Sequence, residues 1–322
     1  MFEEKIVYLD CHTVNPGDLS WGALGQFRNL VCYERTAPEQ VVERIGDSRI
    51  VITNKTRLSE KEFSQLPALE LVCVSATGYD VVDVEAARRH GVTVCNCAGY
   101  STECVAQMVV AHLLNVTNQV AHYSHEVCNE GAWTSSPDFC YWKGVIMELH
   151  RMSVAIVGFG NIGRAVADRL RPFGTKIYAV TTKPEGQLPQ DVTKVELEEA
   201  FKICDAVSLN CPLSPGNREF VNARLLAVSK PGLILINTAR GALVNEADVA
   251  QALHEGRLGA YCTDVLANEP ALPDNPLLSA PRVSVTPHIA WAAPGARSRI
   301  IEILAENIKN YLAGTPSNVV CP

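Results

Sequence analysis

The stretch VAIVGFGNIGRAVADRL, residues 154–170, constrains this chain more than any other. Four strand-like apolar residues run straight into Gly158, Gly160 and Gly163 in G-x-G-x-x-G spacing, and Arg164–Leu170 reads as a helix closing near Phe173-Gly174. A strand that turns into a helix over three such glycines opens a βαβ unit, and βαβ units build parallel sheets. Gly158 permits the tight turn, Gly160 lets backbone approach a ligand, and Gly163 allows helix and strand to pack closely. The helix N-terminus then offers unbonded N–H groups and a partial positive charge, which suit a pyrophosphate. The expected ligand is a dinucleotide.

The next strand, TKIYAV, runs into Thr181-Thr182-Lys183. In dinucleotide folds an Asp or Glu about 20 residues past the glycines accepts the ribose hydroxyls and repels a 2′-phosphate. Here that place falls on Thr181, and the acid is missing. Thr181, Thr182 and Lys183 are therefore candidate ribose contacts. The cofactor is expected to be NAD or NADP, with NADPH at least accepted.

The rest of the chain repeats the same grammar. KIVYL, LVCYE, RIVIT, LELVCVS and VTVCN are β-rich runs separated by helix-like stretches over residues 1–97. A second series begins at MSVAIVGFG and continues through KIYAV, DAVSLN, GLILINT, GAYCTDV and RVSVTPH. Continuously apolar strands alternating with helices indicate parallel sheets covered on both faces. With 322 residues, about two domains are expected. The fold class is α/β: two doubly wound parallel-sheet domains with an interdomain cleft. Ser101 to about Glu130 reads as one long helix, capped at Ser101 or Thr102 and closed by Gly131. GARSRIIEILAENIKNYLAG reads as a final amphipathic helix before the tail TPSNVVCP.

Composition excludes several roles. A net charge of −7 without long basic runs argues against nucleic-acid and anionic-membrane partners. No apolar stretch approaches the length of a membrane span, and MFEEKIVYLD begins with acids where an export signal needs bases. Of the twelve cysteines, Cys73, Cys95, Cys204 and Cys262 sit in apolar strand-like runs, and Cys95 and Cys97 have no second pair at zinc spacing. Reduced, structural cysteines and a cytoplasmic setting are expected. His112, His122 and His125 lie on the long helical stretch without a convincing set of carboxylates or cysteines to complete a ligand sphere, so no metal is expected.

Three loops of the second series carry chemistry. INTARGALVNEADVAQALHEG places Arg240 directly after a strand, in the loop before a helix that Asn245 caps and Gly256 closes. TDVLANEPALPDNPLL supplies Asp264 and Glu269 after the next strand, and VSVTPHIAW supplies His288 after the last. In open α/β sheets, ligands bind at the carboxyl ends of the strands. An arginine there can grip a carboxylate through two parallel hydrogen bonds. Singly, each residue also reads as an ordinary loop residue; jointly, beside the glycine motif, they form a constellation. Lys55 in TNKT reads equally as a cation for an anionic ligand and as a solvated loop lysine.

VGFGNIGRAVADRL, NTARGALVNEADVAQAL, DVLANEP and NPLLSAPRVSVTPHIAW resemble the D-isomer-specific 2-hydroxyacid dehydrogenase family, and the likeness runs along nearly the whole chain. YERTAPEQ, ITNKT, NCAGYSTECVAQ and GAWTSSPDFCYW are similar to its glycerate dehydrogenase, or hydroxypyruvate reductase, branch. The resemblance implies a flavodoxin-like substrate domain over 1–99 plus 293–322 and a Rossmann dinucleotide-binding domain over 100–292. It places hinges near Ala98–Ser101 and Trp291–Pro294. It implies Arg240, Glu269 and His288 as the catalytic set, and Thr77 and Gly78 as backbone donors to the substrate carboxylate beside Arg240 and His288. The implied cofactor contacts are Thr102, Asn161, Ile162, Cys211, Pro212, Thr238, Ala239 and Asp264, besides the glycines.

The implied activity interconverts a small D-2-hydroxy acid and its 2-keto acid, with D-glycerate and hydroxypyruvate the first choice. Glyoxylate, lactate/pyruvate and phosphoglycerate are the alternatives, and a formate-type reaction is disfavoured by Glu269. A dinucleotide-sensing module like the corepressors of this fold is the rival from another class, and the chain has no long basic or low-complexity tail to support it. A homodimer over the long helix is implied. The aromatic run Trp133, Phe139, Tyr141 and Trp142 reads as local packing, or as a loop reaching a partner subunit's site. One departure is His150-Arg151-Met152, where the family usually has a glycine-containing turn, at the strand end away from the active site.

Overall fold

Short runs rich in Val, Ile and Leu and bounded by turn residues form most strands of the computed structural model, which describes residues 4–321. The chain divides into two compact units, Met1–Ser101 with Trp291–Pro322, and Thr102–Ala290.

In the first unit the strands are β1 (Ile6–Tyr8), β2 (Leu30–Cys32), β3 (Ile50–Thr53), β4 (Leu71–Val74) and β5 (Thr93–Cys95). They pair in the order β2-β1-β3-β4-β5, all parallel, which is the flavodoxin-like arrangement. β3 and β4 are buried at every position, as central strands covered on both faces must be. Val7, Leu9, Val51, Val72 and Phe63 lie in one core there. Each such side chain, taken fully out of water, contributes about 1.5–3 kcal/mol.

The second unit holds β6 (Ser153–Val157), β7 (Lys176–Val180), β8 (Val192–Lys194), β9 (Ala206–Leu209), β10 (Leu233–Asn237), β11 (Leu258–Thr263) and β12 (Val283–Val285). Their order, β8-β7-β6-β9-β10-β11-β12, reverses direction at β6, as in dinucleotide-binding sheets. Two cores cover it. One gathers Ala155, Phe201, Leu235, Leu253 and Tyr261, and the other Leu113, Ile156, Val166, Leu170 and Ile236.

Three expectations change. The long helix is two: Thr102–Asn118 and Val120–Glu130, broken where Gln119 takes φ 52°. Both halves keep a helical apolar period, so a single left-handed residue leaves no trace in the pattern. The C-terminal tail is not mere tail, because Val319–Cys321 forms β13, antiparallel to β5, and closes that edge of the first sheet. β8 is a short edge strand that periodicity did not reveal. At the departure noted above, Arg151 itself adopts φ 64°, the conformation for which a glycine would be used.

All twelve cysteines are free. Burial pushes the Cys95 thiol up to about 11 and those of Cys204 and Cys262 up to about 12, so they pack as small hydrophobes. Among the described residues, no helix is long and apolar enough to cross a membrane.

Candidate active site

The glycine turn of the second unit is built by close approach. A Cβ on Gly158, which has φ 91°, would lie 2.7 Å from Cys211 N, and one on Gly163 would lie 2.2 Å from Gly158 O. Gly160 differs, because nothing lies within 4 Å of where its Cβ would stand. The open space is above the turn, and the tight contacts are beneath it. Gly160 is the N-cap of the helix Asn161–Leu170 and brings no side chain to its N–H groups. Two buried oxygens at the neighbouring strand ends, Asn210 Oδ1 and Thr238 Oγ1, also lack a protein partner. Open backbone donors, a clear approach and orphaned polar atoms at one sheet edge fit a bound dinucleotide.

At the ribose end, Thr181 Oγ1 accepts from Lys183 N at 3.2 Å. Lys183 is not simply a solvated lysine: its Nζ donates to Phe159 O, between the first two glycines, at 3.0 Å. Lys194, on β8, donates from Nζ to Lys183 O at 2.8 Å. Thr182 is exposed, and Thr181 and Lys183 are half-buried. Two ammonium groups thus stand at the place where an acid would repel a phosphate. Reading the sequence missed Lys194 because it missed β8.

The other implied cofactor contacts are dispersed along the same edge. Cys211 and Pro212 follow β9, the first half-buried and the second exposed. Asn161 Oδ1 accepts from Arg164 Nη2 at 2.8 Å, Ile162 packs against a core, and half-buried Thr102 opens its helix. Ala239 N donates to Asn237 Oδ1 at 3.1 Å.

The chemistry-bearing loops start from strand ends held in register, with Asn237 of β10 beside Thr263 of β11, and Thr263 beside Val285 of β12. Arg240 and His288 each come three residues past that line, so they leave the sheet at the same height. Asn237 Nδ2 donates to Arg240 O at 2.9 Å, and Arg240 Nη1 donates to Ala239 O at 2.8 Å. A Cβ on Gly241 would lie 2.0 Å from the Leu266 carbonyl carbon, so the Arg240 loop presses on the backbone of the Glu269 loop.

Glu269 Oε1 accepts from Leu266 N at 2.9 Å, and its Oε2 accepts from His288 Nδ1 at 2.6 Å. A carboxylate at that nitrogen fixes the ring's orientation and its tautomer. Asp264, 1 % exposed, accepts from Thr286 Oγ1 at 2.5 Å, Ile289 N at 2.9 Å and Ala290 N at 2.8 Å. Its carboxylate holds the Thr286 side chain on one side of His288 and the backbone of Ile289 and Ala290 on the other. His288 itself has φ 54°, a strained value for a residue with a side chain, held by these surrounding bonds. Glu246, which the sequence reading passed over, accepts from Ala267 N and from Asn275 Nδ2, each at 2.8 Å.

In the first unit, Thr77 and Gly78 lie in the loop after β4. Thr77 Oγ1 donates to Cys97 O at 3.1 Å, and Asn96 Nδ2 donates to Thr77 O at 2.7 Å. The loop's carbonyl and hydroxyl are thereby tied to the segment after β5.

Residues 110–290 match the family described as D-isomer specific 2-hydroxyacid dehydrogenase, NAD binding domain. The chain is 39 % identical over 320 residues to a hydroxypyruvate reductase of Blautia hydrogenotrophica, covering 98 % of this chain and 99 % of that one. It is 35 % identical to a glycerate dehydrogenase of Methylorubrum extorquens, with the same coverage. Its structure resembles the NADPH-dependent glyoxylate/hydroxypyruvate reductase of Sinorhizobium meliloti in complex with NADP and malonate, with TM-score 0.85 and 28 % identity over 99 % of this chain and 97 % of that one.

Proposed function

Because the chain belongs to the D-isomer specific 2-hydroxyacid dehydrogenase family, we propose that it interconverts hydroxypyruvate and D-glycerate, and that it accepts NADPH. The observation that carries the chemistry is the His288–Glu269 hydrogen bond at 2.6 Å, at the sheet edge that also bears Arg240. The names borne by the relatives at 39 % and 35 % identity support the substrate.

The cofactor, bound over Gly158–Gly163, supplies the hydride. The chain's own residues do the rest. Arg240 grips the substrate carboxylate with its planar fork and polarises the 2-keto oxygen. Thr77 and Gly78 offer backbone N–H groups to that carboxylate. His288, protonated, donates from Nε2 to the carbonyl oxygen as it becomes a hydroxyl, and takes the proton back in the reverse reaction. Glu269 holds the ring through its bond to Nδ1, leaving Nε2 to face the substrate. Holding acid, carboxylate and cofactor in one geometry removes much of the entropic part of the barrier.

The test is kcat/KM for hydroxypyruvate, glyoxylate, pyruvate and phosphohydroxypyruvate with NADH and NADPH. Hydroxypyruvate should lead, and NADPH should support turnover because Lys183 and Lys194 stand where an acid is missing. An NADH preference above about 100-fold, or roughly 2.7 kcal/mol, refutes the cofactor reading. Absence of turnover with every keto acid, alongside tight dinucleotide binding, refutes the enzyme.

A cytoplasmic homodimer completes the proposal. Free cysteines throughout suit a reducing compartment. Phe139 is 88 % exposed, and Trp142 and Trp133 in the same segment are also open, the kind of apolar exposure that a partner chain would cover. Light scattering across a concentration series should return the mass of two chains; a constant one-chain mass refutes the dimer.

A further inference from the structure

The reaction above gives no task to Asp10, a buried carboxylate of the first unit. Asp10, two residues past the end of β1, is 6 % exposed. Its Oδ1 accepts from Asn54 N at 2.7 Å, and its Oδ2 accepts from Lys55 N at 2.6 Å, Thr56 N at 2.8 Å and Thr56 Oγ1 at 3.0 Å. Three successive backbone N–H groups of the loop after β3 thus converge on one carboxylate. A buried carboxylate is retained only where donors surround it in this way.

The bonds continue across the sheet edge. Asn54 Nδ2 donates to Ser75 O at 2.8 Å and to Ser75 Oγ at 3.0 Å, and Tyr8 OH donates to the same Oγ at 2.9 Å. Ser75 lies two residues before Thr77, whose carbonyl and hydroxyl are bonded to the segment after β5. The carboxyl ends of β1, β3, β4 and β5 are therefore linked by one polar chain anchored at Asp10. Thr53 and Val74 are register partners on β3 and β4, so Lys55 and Thr77 emerge in neighbouring loops at one edge. The apolar core of Val7, Leu9, Val51 and Val72 holds these strands together without that chain. What the chain adds is a fixed conformation for two loops at the ligand-binding edge of the sheet.

We propose that Asp10 is a positioning residue for the substrate carboxylate: it holds the Asn54–Thr56 loop so that Lys55 adds a cation beside the Thr77-Gly78 donors. This rests on the 2-keto acid reading of the site. Asp10 itself touches no substrate and acts through Lys55 and the loop.

The test compares wild type, Asp10→Asn, Lys55→Gln and the double variant, with thermal midpoints and circular dichroism as fold controls. Asp10→Asn places an amide N–H among donors and releases the loop; Lys55→Gln alters an exposed side chain and leaves the fold intact. Expected is a rise in KM for hydroxypyruvate of about tenfold or more in each single variant. KM for NADPH should stay within about twofold and kcat within about threefold, and the double variant should be no worse than the poorer single one, since residues acting as a unit are non-additive. A lower thermal midpoint with unchanged hydroxypyruvate KM in Asp10→Asn assigns the residue to stability alone and overturns the proposal. So does a Lys55→Gln variant that behaves as wild type, or a double variant in which the two effects multiply. Calorimetric binding of oxalate, an unreactive carboxylate, separates this from the reaction itself. If the wild type reduces no keto acid yet binds oxalate, weaker binding in both variants sustains the clamp while the enzymatic reading falls. Equal binding in wild type and variants, or none in any of them, overturns it.

Discussion

Replacing His288 with glutamine is expected to lower kcat for hydroxypyruvate reduction by about 10²–10⁴-fold, the range lost when a positioned general acid is removed. Glutamine can still donate a hydrogen bond to the substrate carbonyl, so substrate binding should fall much less than turnover. It has no proton to release as the carbonyl becomes a hydroxyl. The backbone should tolerate the change, because the strained φ 54° at position 288 is imposed by the bonds of Asp264 to Ile289 N and Ala290 N, which do not involve the ring. Steady-state kinetics with saturating NADPH checks the outcome, and a kcat near wild type removes His288 from the acid–base role.

Changing Arg240 to lysine keeps the positive charge and loses the fork. A lysine ammonium is a compact point charge that cannot repeat two parallel bonds to a carboxylate while also meeting the Ala239 carbonyl that Arg240 Nη1 contacts. The expected result is a fall in kcat/KM of about 100-fold, equivalent to about 2.7 kcal/mol of transition-state stabilisation. Equal values for the two proteins would place Arg240 outside the reaction. If KM rises and kcat holds, Arg240 binds the acid without polarising it.

Much of the fold is legible because it depends on patterns that repeat along the chain. Central strands such as Ile50–Thr53 and Leu233–Asn237 are buried at every position and apolar at all but the last, and they announce themselves. The glycine motif is legible for a different reason: at 2.2 Å from Gly158 O, no residue with a Cβ could stand in place of Gly163. What periodicity cannot carry is the behaviour of single residues and of partners distant in sequence. Gln119 breaks a helix through one φ angle. Val319–Cys321 becomes a strand only because β5 offers an open edge.

The candidate site divides the same way. Arg240, Glu269 and His288 could be picked out because each lies in a loop that follows a strand, and the structure brings Glu269 and His288 to 2.6 Å. The residues that hold the loops were opaque in that role. Asp10 and Glu246 draw no notice in the sequence, and Asp264 reads there as a cofactor contact; their holding role lies in backbone N–H groups that reach them from elsewhere, 46 residues away in the Asp10–Thr56 bond. Lys194 was missed because the short strand bearing it was missed.

Glu246 has a consequence for when conformational freedom is lost. Its two oxygens hold Ala267 N and Asn275 Nδ2, the two feet of the loop that carries Glu269. A loop pinned at both feet has little further freedom to surrender. Fixing one residue's backbone costs about 1–2 kcal/mol of entropy. For Glu269 that ordering is complete once the chain has folded and is not repeated at each turnover. The exposed crest Ala271–Asp274, lying between those feet and beyond Glu269, is where the loop can change length or sequence with least disturbance to the pair it supports.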